Sequence, residues 1–153
     1  MTVGPRARDR EDARYLDIAL AIADHGAPTR IDEDLAQLFR RVAFNLVASH
    51  RDDHLRNHGF LRTAEGWRLA PAFDLNPTPQ KPEHELSLDG AVRRGDLDVL
   101  RATASFYRLS ESAAERIVDQ VGAAVAAWRE ATRGAGLGSV ELDVLEEAIG
   151  ARP

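Results

Sequence analysis

Two early stretches of the chain repeat their apolar residues at helical spacing, and the remaining elements are arranged around them. From Asp9, the residues Ala13, Leu16, Ile18, Leu20 and Ile22 stand among acids and arginines up to His25-Gly26, with Pro28 beyond. This predicts a first helix of about four turns. Asp32 is the expected N-cap of a second helix, in which Leu35, Leu38, Phe39, Val42, Leu46 and Val47 make one broad apolar stripe. That helix is the expected buried spine. The stripe stops at Ala48-Ser49, and in residues 50–57 only Leu55 is aliphatic, so this stretch reads as a loop or a broken turn. Gly59-Phe60-Leu61-Arg62 and Gly66-Trp67-Arg68-Leu69-Ala70 then read as a small β-hairpin.

Pro71, Pro77, Pro79 and Pro82 make the next segment stiff and non-helical. Glu85-Leu86-Ser87-Leu88 is expected as one more short strand, closed by Asp89-Gly90. Leu97, Val99, Leu100, Ala104 and Phe106 mark a helix, and Ser112-Ala113-Ala114-Glu115 has the spacing of a capping box for another that runs to about Thr132. Val140 to Ile149 predicts a short last helix. The reading is therefore a mainly α chain with a small β-hairpin, organised as a loose basic arm over residues 1–8 and one domain over 9–150.

Composition narrows the class. With 153 residues, 44% apolar and 29% charged, the chain is long enough for a real core and has no run able to cross a bilayer. It contains no cysteine, which removes disulfides and thiolate zinc sites and fits a reducing compartment. Its N-terminus is followed by charge instead of an apolar segment, so the expected location is the cytoplasm. A net charge of −5 argues against general nucleic-acid binding. Locally, Arg40, Arg41, Arg51, Arg56, Arg62 and Arg68 crowd around the polar stretch and read either as solvated surface or as an attractor for phosphate. His25 and His84 are expected on the surface, and both tryptophans and all five phenylalanines in the core.

The candidate chemistry lies in His50-Arg51-Asp52-Asp53-His54-Leu55-Arg56-Asn57, followed seventeen residues after Asn57 by Asp74. Asp52 and Asn57 stand five apart, the spacing at which a phosphoryl-transfer loop sets its base and one magnesium ligand. Asp74 supplies a free carboxylate on the next loop. The hairpin between them brings the residues before and after it close together. In this reading Asp52 takes or orients the proton of the attacking hydroxyl, Asn57 and Asp74 hold Mg²⁺ on the phosphates of a nucleotide, and Arg51, counted with them among the cofactor-binding residues, braces the loop or pairs with a carboxylate. Asp53 reads as a loop cap or a supporting partner. His54 and His58 stand four apart, but no Glu follows the first, and a zinc site is the weaker reading. The bland alternative for all of these residues is turn chemistry.

These two blocks, His50 to Leu61 and Trp67-Arg68-Leu69-Ala70-Pro71-Ala72-Phe73-Asp74-Leu75-Asn76-Pro77, resemble the C-terminal domain of the HipA-type serine/threonine kinases, toxins of bacterial toxin–antitoxin modules. The resemblance extends from about Glu11 to Ile149. It implies a helical kinase C-lobe with Asp52 as catalytic base and Asn57 and Asp74 as metal ligands. In relatives the position of His50 is more usually Asn; here the triplet is the general kinase His-Arg-Asp. No glycine-rich loop, strand lysine or partner glutamate precedes Asp9, so the N-terminal lobe is expected to be absent. Alone, the chain is expected to be weakly active or inactive. The partners implied are a protein Ser or Thr substrate and an antitoxin-like helix-turn-helix protein or a separate N-lobe. A non-catalytic partner-binding module and a small-molecule phosphotransferase are the alternatives.

Overall fold

The computed structural model describes residues 13–150. The expected arm, and the part of the first helix predicted over 9–12, lie outside the described residues. Ala13 and Arg14 are extended, and Arg14 forms a lone parallel bridge with Ser87, so helix α1 begins only at Tyr15 and runs Tyr15–His25. It is about three turns long, with Arg14 just before it taken up by that bridge.

Helix α2, Ile31–Val47, is the spine. Leu35, Leu38, Phe39 and Val42 on its stripe are fully buried, each contributing on the order of 1.5–3 kcal/mol by leaving water. Its N-cap position is Arg30 and not the expected Asp32, which falls instead in the first turn with Glu33 and Asp34, where negative charge complements the helix dipole. The stripe packs on α1 from one side. From the other come helices α3, Leu97–Ala102, and α4, Glu111–Ala126, while Tyr107 meets Phe39 edge to face at 5.2 Å. Ser110, not Ser112, caps α4: its Oγ accepts from Ala113 N, while Ser112 turns its own hydroxyl to Ser110. A one-turn helix α5, Trp128–Ala131, comes next. The last helix, α6, Ser139–Gly150, docks through buried Ala148 and Ile149, and Ser49 Oγ donates to the Ala148 carbonyl at 2.7 Å.

The hairpin forms as expected, with β1 Phe60–Arg62 antiparallel to β2 Trp67–Leu69 and Leu61 opposite Arg68. It is fastened at its tip and along its side. Ala27 N donates to the Trp67 carbonyl, and a Cβ on Gly66, whose φ is +146°, would stand 2.8 Å from Ala27 N, so only glycine fits there. Asp34 of α2 accepts from both Arg68 Nε and the Leu69 amide, which makes this carboxylate the hairpin's side anchor.

Glu85 to Leu88 do not form the expected strand. The alternation is real, since Leu86 and Leu88 are buried, but the pairing stops at the single bridge of Ser87 to Arg14. Aromatic burial is also only partly as expected: Phe39 and Trp128 are buried, Phe44 and Phe60 partly so, whereas Trp67, Phe73 and Phe106 are exposed. Among the described residues no helix is long and apolar enough to cross a membrane.

Candidate active-site loop

The stretch after α2 leaves the helix through Ser49, whose φ of 53° turns the backbone sharply, and closes with a 3-10 turn at Leu55–Asn57. Its underside is built around Asp53. This buried carboxylate accepts through one oxygen, Oδ2, from Tyr15 Oη at 2.9 Å, Asn45 Nδ2 at 2.7 Å and His58 Nε2 at 2.9 Å. Burial alone would push the Asp53 carboxyl up; the hydrogen bonds from His58 and Tyr15 outweigh it and hold the group below the usual carboxylate range. Tyr15 responds in the opposite sense, its phenol raised well above the ordinary value by burial and by the Asp53 charge. The supporting role expected for Asp53 is thus its observed one. His58 is committed to Asp53, and among the described residues no group of three or more His, Asp or Glu side chains is arranged to hold a metal.

The upper side is different. Asp52 sits half exposed, its Oδ1 accepting from Lys81 Nζ and its backbone N–H donating to Thr78 Oγ1 at 3.2 Å. The Lys81 hydrogen bond holds the Asp52 carboxyl below its ordinary value. Arg51 does brace the loop: its guanidinium donates to the carbonyls of Pro79 and Lys81, and its amide to Thr78 Oγ1. Asn57 is buried, and its Nδ2 has no hydrogen-bond partner among the described residues; nor does any described residue donate to its Oδ1. Such an amide oxygen is open to a hard cation.

Asp74 is carried beside this loop by the segment that leaves the hairpin. His50 Nδ1 donates to the Asn76 carbonyl at 2.6 Å, Thr78 N donates to the Ser49 carbonyl at 2.9 Å, and Phe73 stands against Gly59. Fastenings therefore flank Asp74 on both sides. The residue itself is exposed, in the left-handed region at φ 56°, and its Oδ1 accepts from Asn76 Nδ2 at 2.9 Å. A carboxylate and an amide oxygen completed by phosphates are a donor set that suits magnesium.

Several residues stand elsewhere than their sequence predicts. His84, expected at the surface, is buried, and burial next to Arg51 and His50 lowers its pKa to about 4. Of the crowded arginines, Arg68 serves Asp34 and Glu33, Arg41 is buried with the Ala70 carbonyl, and Arg40 binds Gln37 and Gln120. Arg40, Arg41, Arg51 and Arg68 thus all have bracing partners within the chain. Tyr15, Asn45, Thr78 and Lys81 belong to the loop's surroundings without any mark in the sequence, because isolated residues far apart in the chain give no periodic or motif signal.

A helical lobe built on one buried spine, with a hairpin mounted beside a His-Arg-Asp loop, is the C-lobe type of fold. Residues 2–128 match the HipA-like C-terminal domain, and the chain belongs to that family. A solved structure of similar fold is HipA in a complex with HipB and operator DNA from the Shewanella oneidensis MR-1 toxin–antitoxin system. It shares 14% identity at a TM-score of 0.70. The match covers 96% of this chain and 37% of that one, so the chain spans little more than a third of the HipA chain's length. No curated protein sequence matches.

Proposed function

We propose that this chain is the catalytic C-terminal lobe of a HipA-like protein kinase, which in a complete enzyme transfers the γ-phosphate of ATP to a Ser or Thr hydroxyl of a protein. The observation that carries the reading is the fastening of segment 73–78 onto loop 49–59, which sets Asp74 beside the loop that bears Asp52 and Asn57. Asp52 orients the attacking hydroxyl and takes its proton. Asn57 and Asp74 would hold Mg²⁺, which would supply charge neutralisation on the phosphates. Arg51 holds the loop's shape.

The test supplies an upstream HipA lobe in cis or in trans and measures ATP-dependent phosphorylation. Asp52→Ala and Asp74→Ala are each expected to lose at least about 100-fold with the fold retained. Activity untouched by Asp52→Ala overturns its role as base. Calorimetry of Mg-ATP with residues 1–153 alone is expected to show weak binding, since they span little more than a third of the HipA chain's length; tight binding would refute that dependence on an upstream lobe.

A second reading, a module that binds an antitoxin-like protein or a separate lobe, draws on the apolar side chains flanking Asp74. Phe73 and Leu75 are 47% and 44% exposed, an arrangement suited to being covered. Co-purification with an adjacent small helix-turn-helix protein, unaffected by Asp52→Ala, favours this reading over catalysis.

A further inference from the structure

The chain carries nineteen arginines and a single lysine, Lys81. That lysine lies where its ammonium meets the candidate base, donating to Asp52 Oδ1 and, at 2.7 Å, to Glu85 Oε1. Its position is built and not incidental. Thr78 Oγ1 accepts the amides of both Arg51 and Asp52, the Arg51 guanidinium spans the carbonyls of Pro79 and Lys81, Lys81 N closes a turn on the Thr78 carbonyl, and Glu85 N donates to the Arg51 carbonyl. Pro79 and Pro82 stiffen the segment on either side.

The choice of lysine has a chemical reason. A guanidinium presents a planar fork that grips both oxygens of a carboxylate, whereas an ammonium is a compact point donor that can be satisfied at one. Lys81 takes Oδ1 of Asp52, and no described residue donates to Oδ2.

We propose, on the kinase reading, that Lys81 is a positioning residue for phosphoryl transfer: it fixes Asp52 through Oδ1 and leaves Oδ2 to receive the substrate hydroxyl. In the step it serves, the hydroxyl oxygen bonds to the γ-phosphorus and the bond from that phosphorus to the β,γ-bridging oxygen breaks. The bond's electrons leave with ADP, and the hydroxyl proton passes to Asp52 Oδ2. Glu85 shares the ammonium and so tempers its pull on Asp52. The other titratable groups facing Asp52 are His50 and His54.

The test reads the Asp52 side-chain carboxyl by ¹³C NMR as pH is varied, in the chain as it stands, alongside transfer in the complemented assay. Lys81→Met is expected to raise the Asp52 midpoint and to cut transfer roughly tenfold. Lys81→Arg is expected to keep the midpoint low yet still cut transfer, because the fork covers Oδ2. Glu85→Gln, an exposed change that spares the fold, is expected to lower the midpoint. A midpoint unmoved by Lys81→Met, or Lys81→Arg transferring at the wild-type rate, overturns the proposal. If Asp52→Asn abolishes transfer while Lys81→Met changes neither readout, the proposal falls and the kinase reading stands. If Asp52→Asn transfers normally, the reading falls and takes the proposal with it.

Discussion

Asp52 and Asp53 are neighbours in the chain and opposites in the fold. Asp53 is buried beneath the loop with three side-chain donors on one oxygen; Asp52 is half exposed above it, with one oxygen held and the other without a donor among the described residues. The difference teaches that a carboxylate wrapped in internal donors has its chemistry used up in holding the fold. One left partly unpartnered at the surface is available for work. Stability should therefore be concentrated below the loop and activity above it.

The strongest challenge to that division is Asp53→Ala, which strands the Tyr15 hydroxyl proton and the His58 ring and leaves the Asn45 amide with Tyr15 Oη alone. We expect a loss of about 3 kcal/mol in urea unfolding, since each buried donor keeps its desolvation cost. A loss under about 1 kcal/mol would show that water or repacking replaces the carboxylate. Next is acidification. The folded pKa of His84 is depressed to about 4 against 6.5 unfolded, so the unfolded chain binds the proton first. Stability is full above pH 6.5, falls as pH drops below that value and finishes falling as pH passes through 4. Between about pH 7 and 5 this amounts to about 2 kcal/mol, and His84→Gln should flatten that slope when urea midpoints are compared. Asp53 adds its own acid loss lower down, as its depressed carboxyl is protonated.

Tyr15→Phe removes one of the three donors without opening a cavity and should cost about 1 kcal/mol. The smallest effect belongs to the upper side. Asp52→Asn should change the unfolding free energy by no more than about 0.5 kcal/mol, because the Lys81 pairing is partly exposed and screened. A larger loss there would erase the contrast and make Asp52 a structural residue as well.

The sequence displays some of this plainly. The spine is legible because its apolar stripe repeats over 17 residues, and the hairpin because glycines bracket two short apolar runs. Asp52, Asn57 and Asp74 are singled out by spacing and resemblance. What escapes is whatever depends on long-range closure. Nothing local distinguishes Asp53 from Asp52, since the donors that define it include Tyr15, 38 residues away. His84 reads as solvated because it lies among prolines and acids, yet it is buried, with its backbone N–H on the Arg93 carbonyl. The Glu85–Leu88 alternation predicts burial correctly and pairing wrongly, because alternation reports which side chains turn inward, not whether a partner strand exists.

The three donors to Asp53 all come from the first 58 residues, whereas Thr78, Lys81 and Glu85 are made later. A chain emerging from the ribosome thus possesses every part of the seat for its loop before it possesses the parts that tune Asp52. For the interval between, the growing polypeptide has the donors that fix Asp53, while Arg51 still lacks the carbonyls of Pro79 and Lys81, Asp52 lacks its cation and Asp74 has not arrived.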